Sequence, residues 1–134
     1  MTGKISILYD TIRLEEKLLI ESAKKNDISI DMVDCKKLFL DLNEKNCLDG
    51  PVLQRCVSYY RNLHSTAALE GQGAKVVNCL NTGIFAGNKL FTHMLLQKAG
   101  VATADARVAF SKDSELEALK KDGYPKIINQ RRGR

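Results

Sequence analysis

The sequence predicts an α/β fold in which a small parallel sheet is covered by helices. Short apolar runs alternate with longer amphipathic segments, and the first three elements follow the order strand, helix, strand. Such a unit of about thirty residues joins two parallel strands by a right-handed crossover. Apolar residues make up 44% of the 134 residues. The apolar content is sufficient for a hydrophobic core, and the length is sufficient for one compact domain, or for one small domain and the beginning of a second.

The first two strands and the helix between them are visible in the apolar pattern. Residues 4–8 form a short apolar run typical of a buried strand, and residues 28–32 alternate apolar and polar side chains as a second strand does. Between them, four apolar residues at helical spacing predict an amphipathic helix with its apolar face on the sheet. These four residues are Leu14, Leu18, Leu19 and Ala23.

The same alternation continues to about residue 80. Residues 52–57 predict a third strand, residues 61–70 a helix and residues 74–77 a fourth strand. Gly71 and Gly73 lie between the helix and the last strand. They therefore indicate the end of a helix and not a dinucleotide-binding turn, which would follow a strand and open a helix.

A second segment follows this sheet. Residues 84–99 predict one continuous helix that ends at Gly100, and residues 102–110 are expected to be extended. Ser114 and Glu117 have the spacing of a capping box and predict the start of a short helix. We therefore expect an α/β domain and the beginning of another region.

Composition and charge exclude several classes of protein. The net charge is +5, but removing Arg131, Arg132 and Arg134 leaves +2. A nucleic-acid-binding domain concentrates its basic residues on a folded face, so we expect no nucleic-acid partner. No apolar stretch approaches the roughly 20 residues of a membrane span, and the N-terminus lacks the apolar core of a signal peptide. We expect a cytoplasmic protein without a membrane partner.

The cysteines and histidines give no metal-binding pattern. The four cysteines match no zinc spacing, and neither histidine has a partner nearby in the sequence. We expect no metal site. Cys56 and Cys79 lie in apolar runs and are expected to be small core residues.

Charged residues near the predicted strand ends are the first candidates for a site, because the carboxyl ends of parallel strands border the ligand crevice. Asp10 is expected to cap the helix that follows it, without a catalytic role, and Ser58 to cap the helix after the third strand. Arg13, Arg55 and Arg61 are candidates for binding a carboxylate through the planar guanidinium, with ordinary surface placement as the alternative. We predict no catalytic residue.

Lys89 is the main candidate for binding a phosphate. It follows Gly87 and Asn88 within the predicted helix, and a small residue beside it would let a bulky ligand approach. An ammonium group binds phosphate as a compact charge. The alternative is an ordinary lysine on a helix surface.

Four segments occur together in an order that resembles a known family. The sequence is similar to the N-terminal part of LysX-type ATP-grasp ligases, which are more distantly similar to the glutamate ligase RimK. The segments are residues 7–19 (ILYDTIRLEEKLL), 55–78 (RCVSYYRNLHSTAALEGQGAKVVN), 87–109 (GNKLFTHMLLQKAGVATADARVA) and 124–128 (YPKII).

The resemblance implies a fold and an activity. It implies a Rossmann-like pre-ATP-grasp domain over residues 1–80 and the start of the ATP-binding region over residues 81–128. In this family ATP, with Mg²⁺, converts a carboxylate to an acylphosphate that an amine then attacks. The implied carboxylate is the C-terminal glutamate of the acidic carrier protein LysW. The implied amine belongs to a small-molecule amino acid, α-aminoadipate or glutamate, in lysine or arginine biosynthesis.

The resemblance also assigns positions in the ATP site. Lys89 matches the first ATP-contacting lysine of the family, with Asn88 in place of the usual aspartate. Asn129 stands where the second ATP-contacting lysine is expected. Residues 129–134 are predicted to be an aberrant basic tail, since loss of one nucleotide from a Lys-Pro codon pair would give such an ending.

From this ending we expect a truncated ligase that is inactive alone and holds neither ATP nor Mg²⁺ tightly. A non-catalytic module for carrier binding or dimerisation is the alternative. An apolar surface on the second segment predicts a homo-oligomer, because it would lack its usual cover.

Overall fold

The computed structural model describes residues 4–45 and 48–122 of the chain. Within these ranges, the first eighty residues hold four strands and two helices, with no helix between the second and third strands, and three more helices follow. The elements are β1 (Lys4–Tyr9), α1 (Leu14–Lys25), β2 (Ser29–Asp34), β3 (Val52–Gln54), α2 (Tyr59–Gly71), β4 (Val76–Val77), α3 (Leu80–Ala86), α4 (Lys89–Lys98) and α5 (Lys112–Asp122).

The four strands form one parallel sheet in the order β2-β1-β3-β4. Leu8 of β1 pairs with Val33 of β2 on one side and with Gln54 of β3 on the other. The predicted α/β fold is therefore confirmed. The chain leaves β1 toward β2 and then returns to the other side of β1, so β1 and β3 flank a switch point. Right-handed crossovers then place α1 and α2 on opposite faces.

The core lies mainly on the α2 side of the sheet. Leu8 and Val52 from the sheet pack with Leu69 of α2, and these three side chains are fully buried. Cys56 and Val76 complete the cluster. The prediction that Cys56 is a small core residue is confirmed, whereas Cys79, predicted to be similar, is exposed.

Helix α1 turns a different face to the protein than the apolar pattern predicts. Leu14 is 68% exposed and Leu18 is 53% exposed, so the predicted apolar face was wrong for these two residues, whereas Ala23 is buried as predicted and Leu19 is half-buried. Glu16, seven residues before Ala23 and on the same side of the helix, is buried in place of Leu14 and Leu18. The reason is electrostatic, because two arginines hold the Glu16 carboxylate inside the protein.

The single helix predicted over residues 84–99 is two helices. Asn88 has an extended backbone between α3 and α4, and its side-chain oxygen accepts hydrogen bonds from the Leu90 and Phe91 amides at 3.1 and 3.4 Å. It is a typical N-cap and starts a new helix. Lys89 is therefore the first residue of α4 and not an interior helix residue.

The last described helix also starts earlier than predicted. Ser111, and not Ser114, precedes α5, and its hydroxyl accepts a hydrogen bond from the Ser114 amide at 3.2 Å. The predicted capping box at Ser114 and Glu117 was therefore wrong. Residues 102–110 contain no strand, and residues 124–128 lie outside the described part of the chain.

Candidate functional site

The carboxyl ends of β1 and β3 meet at the switch point, where open parallel sheets bind ligands. Asp10 follows β1 and is buried. Its carboxylate accepts hydrogen bonds from the amides of Val57 and Ser58 at 2.9 and 3.1 Å and from the Arg61 guanidinium at 3.2 Å. Asp10 therefore fixes the loop between β3 and α2, and the prediction that it caps α1 was wrong. Ser58 does cap α2, as predicted, by accepting a bond from the Arg61 amide.

Glu16 is a second buried carboxylate beside the first. It has no exposed surface. One oxygen accepts a hydrogen bond from the Arg13 amide at 2.9 Å, and the other accepts one from Nε of Arg55 at 2.8 Å. The Arg13 guanidinium adds longer contacts at 3.4 Å. Glu16 thus ties the start of α1 to the end of β3.

The cationic surroundings keep both carboxylates ionised. Burial by itself raises the pKa of Glu16, but the hydrogen bonds from Arg13 and Arg55 outweigh it and bring the pKa down to about 2. Burial likewise raises the pKa of Asp10, yet the Val57 and Ser58 amides and Arg61 leave it below the ordinary aspartate value. Two negative charges therefore persist inside this edge at neutral pH.

The arginines that neutralise these charges reach the surface. The side chains of Arg13, Arg55 and Arg61 are 40%, 30% and 51% exposed, while those of Glu16 and Asp10 are 0% and 2% exposed. The structure thus brings the three predicted arginines to one edge. Their role in binding a partner stays a prediction.

Lys89 is exposed at the amino end of α4, two residues after Gly87. A Cβ atom on Gly87 would collide with the ring of Tyr59, the first residue of α2. The prediction that Gly87 leaves room for a ligand was therefore wrong, because Tyr59 fills that space. This packing holds the α3–α4 junction beside the start of α2, close to Ser58.

Asn129 lies outside the described residues. Within residues 4–45 and 48–122, no three histidine, cysteine, aspartate or glutamate side chains group in a way that could hold a metal ion. The helices of the described ranges include none with the length and apolar character needed to cross a membrane.

Glu16 is the residue of this site that sequence reasoning missed. The available signal was the spacing Arg13-x-x-Glu16, which resembles a capping box with arginine at the N-cap. The usual serine or threonine is absent there, and the second partner, Arg55, lies 39 residues from Glu16.

A parallel α/β sheet with polar residues gathered at its switch point defines the class of open ligand-binding domains. Within this class, the chain belongs to the LysX preATP-grasp domain family, whose model matches residues 5–84. The predicted resemblance to the N-terminal part of LysX-type ATP-grasp ligases is confirmed.

Individual relatives give the same result. The chain is 28% identical over 124 residues to the glutamate–LysW ligase ArgX of Sulfolobus acidocaldarius, covering 92% of this chain and 44% of the relative. It is 34% identical over 128 residues to the α-aminoadipate–LysW ligase LysX of Sulfurisphaera tokodaii, covering 92% of this chain and 45% of the relative. The chain therefore spans less than half the length of these curated relatives.

A solved structure supports the fold. A RimK-domain ATP-grasp protein from Sphaerobacter thermophilus superimposes with a TM-score of 0.78 at 26% identity. The match covers 92% of this chain and 48% of that protein.

Proposed function

We propose that this chain is the N-terminal portion of an ATP-dependent ligase that joins an amino acid to the acidic carrier protein LysW. The observation that carries the proposal is the family match over residues 5–84, together with relatives whose names specify LysW ligases. The carboxylate would be the C-terminal glutamate of the carrier, activated as an acylphosphate. The amine would come from α-aminoadipate or glutamate, for lysine or arginine biosynthesis.

Lys89 is the residue of this chain assigned to ATP. Asn88 already accepts the hydrogen bonds of the Leu90 and Phe91 amides, so those amides cannot also bind a phosphate. The Lys89 ammonium, exposed at the positive end of the α4 dipole, would supply the charge instead. Bound ATP would supply the phosphoryl group that activates the carboxylate. No three histidine, cysteine, aspartate or glutamate side chains group as a possible metal site within residues 4–45 and 48–122, and we propose no magnesium ligand among these residues.

The carrier is assigned to the arginine-lined edge. The carboxylates of Asp10 and Glu16 are hidden, whereas Arg13, Arg55 and Arg61 are partly exposed. This edge therefore presents positive charge to an acidic partner, and complementary charge mainly sets specificity and association rate. If the chain has no catalytic role, the same surface would serve a non-catalytic carrier-binding module.

Reconstitution tests the ligase assignment. We expect the chain alone to release no ADP at a ligase rate. Mixed with the C-terminal half of Sulfurisphaera tokodaii LysX, LysW, the amino acid, ATP and Mg²⁺, it is expected to form the carrier adduct, measured by mass spectrometry. The matching N-terminal half of the relative is the positive control. Adduct formation with the relative's half, but never with this chain, would contradict the proposal.

Lys89→Ala tests the nucleotide assignment in the same mixture. We expect the rate of adduct formation to fall by roughly 100-fold, because loss of one charge-stabilising contact commonly costs 10²–10³ in rate. Lys98→Ala, at the other end of α4, is the matched control and is expected to change the rate less than about twofold. Equal rates of adduct formation for the two variants would show that Lys89 does not contribute to ATP binding.

We also propose that the chain self-associates through α4. Phe91, Met94 and Leu95 are each more than 40% exposed, and with Phe85 they line an open cleft of about 560 Å³. An apolar face of this kind favours association. Light scattering is expected to show oligomers.

Met94→Glu is expected to shift the population toward monomer, because it places a charge in the apolar cleft. Leu116→Glu, which makes the same kind of change on α5, should have no effect. A monomeric wild-type chain at micromolar concentration would disprove self-association.

A further inference from the structure

Helix α3 packs against α2 through two glycines. Gly83 lies within α3 and Gly87 directly follows it, and the four-residue spacing puts both on one side. A Cβ atom on Gly83 would lie 3.0 Å from the Leu63 side chain, and one on Gly87 would overlap the Tyr59 ring. Glycine permits such a close approach because it has no side chain. The Tyr59 ring therefore determines where the end of α3 lies relative to α2.

A well-bonded turn joins α3 to α4. Asn88 is only 5% exposed, and its side chain caps α4. Across the turn, the Thr92 hydroxyl donates a hydrogen bond to the Phe85 carbonyl oxygen at 2.6 Å. These bonds hold the end of one helix and the start of the next in a fixed relation. A displacement of Gly87 would therefore also displace Lys89, the first residue of α4.

The start of α2 is fixed to the sheet on both sides of Tyr59. The buried carboxylate of Asp10 accepts hydrogen bonds from the Ser58 amide at 3.1 Å and from the Arg61 guanidinium at 3.2 Å. Tyr59 lies between these two residues, so its backbone is held to the end of β1. The position of the Lys89 backbone is consequently set, through the Tyr59 ring, relative to the carboxyl end of the central strands.

We propose that Tyr59 is a positioning residue for the nucleotide, because its ring fixes the backbone from which the Lys89 ammonium reaches the phosphates. The proposal rests on the proposed function, in which Lys89 binds ATP. A lysine side chain is long and flexible, so the placement of its backbone decides which of its conformations reach the ligand. A displacement of about 1 Å caused by a distant substitution can cost about 100-fold in rate. Tyr59 acts through Lys89 and not on a reacting atom.

A double-mutant cycle in the reconstituted ligase mixture tests this role. Tyr59→Leu keeps an apolar side chain but removes the ring, and we expect it to raise the KM for ATP about tenfold. In the Lys89→Ala background the same change is expected to alter this KM less than about twofold, because a residue that acts through Lys89 has no effect once the ammonium is gone. A purely structural residue would lower the amount of active protein, and therefore the apparent kcat, and leave KM unchanged. An equal effect of Tyr59→Leu on KM in both backgrounds would also overturn the proposal.

Two ring substitutions are the matched controls. Tyr59→Phe keeps the ring beside Gly87 and is expected to change the KM for ATP less than about twofold. Tyr60→Leu removes the same kind of ring from the next residue, which is 64% exposed, and is expected to leave this KM unchanged. A KM raised equally by Tyr60→Leu and Tyr59→Leu would show that the contact with Gly87 is not responsible, and would overturn the proposal.

Gly87→Ala disturbs the same contact from the other side. Its methyl group would overlap the Tyr59 ring, so we expect the KM for ATP to rise as it does for Tyr59→Leu. Circular dichroism shows which of these two variants is folded, and either one is sufficient for the test. If neither variant folded, the contact would be a requirement of the fold, and the positioning role would be overturned.

The wild-type chain distinguishes a failure of this proposal from a failure of the ligase assignment. If the wild-type chain forms the carrier adduct and Tyr59→Leu has the same KM for ATP, the positioning role fails and the ligase assignment stands. If the wild-type chain forms no adduct while the matching half of the relative does, both proposals fail.

Discussion

Glu16→Gln is expected to destabilise the protein by about 3 kcal/mol at pH 7. The pKa of Glu16 is about 2 in the folded protein, against an ordinary value of 4.5. Each pKa unit corresponds to about 1.4 kcal/mol of differential stabilisation of the ionised form. The glutamine amide would also turn a donor toward Arg13 or Arg55, which are donors themselves. For a chain of this length the melting temperature should fall by roughly 10 °C.

The contribution of Glu16 to the free energy of unfolding is expected to decrease at low pH. Because the folded-state pKa of Glu16 lies below the unfolded value, its stabilisation is fully present above pH 4.5 and is lost as the pH falls toward 2. Glutamine does not titrate. The difference in unfolding free energy between wild type and Glu16→Gln should therefore be constant from pH 7 to 5 and shrink below pH 4.5. Urea denaturation at several pH values measures it.

Glu15→Gln is the matched control for this experiment. The Glu15 side chain has the same charge and length as that of Glu16, but it is 57% exposed and lies 3.8 Å from Arg13. The substitution therefore removes only a surface ion pair. Such pairs contribute about 0–1 kcal/mol. Equal stability and equal pH profiles for the two variants would show that Glu16 is not a buried anchor of this edge.

Much of the fold is predictable because it depends on local patterns. The apolar runs of β1 and β2, the helix between them and the N-cap at Ser58 all depend on residues close together in the sequence. The parallel pairing of β1 with β2 follows from the helix that connects them. The arginines could be located at the carboxyl edge for a similar reason, since Arg13 and Arg61 follow the ends of β1 and β3 within about seven residues and Arg55 lies at the end of β3.

The remaining features depend on partners far apart in the chain. Apolar periodicity on α1 predicts a buried Leu14 and Leu18, but the charges of Arg13 and Arg55 decide which face turns inward. Burial of the Glu16 carboxylate is favourable there only because Arg13 and Arg55 neutralise its charge. Similarly, the space beside Gly87 belongs to a ring on a different helix. Spacing along the sequence carries neither kind of information.

Gly50→Ala is expected to destabilise the fold by about 3 kcal/mol or more. Gly50 has a φ of +72°, which costs a non-glycine residue roughly 1–2 kcal/mol, and its new Cβ would overlap the backbone carbonyl oxygen of Lys4. Relief requires the chain to move away from the start of β1, costing a further 1–3 kcal/mol or so. That movement would disturb the Ser6 amide bond to the Pro51 carbonyl, 3.0 Å, where β3 begins to pair with β1.

Alanine substitutions at two other glycines distinguish the cost of a positive φ from the cost of a steric collision. Gly73 has a φ of +88° with open space around it, so Gly73→Ala should cost only about 1–2 kcal/mol. Gly71 ends α2 without positive φ and without a neighbour within 4 Å, so Gly71→Ala is expected to stabilise by up to about 1 kcal/mol. In urea denaturation, the free energy of unfolding should be lowest for Gly50→Ala and should rise in the order Gly73→Ala, wild type, Gly71→Ala. If Gly50→Ala and Gly73→Ala were equally stable, the contact between Gly50 and β1 would not hold the central strands together. The ends of β1 and β3 would then be held in place by the buried carboxylates of Asp10 and Glu16 alone.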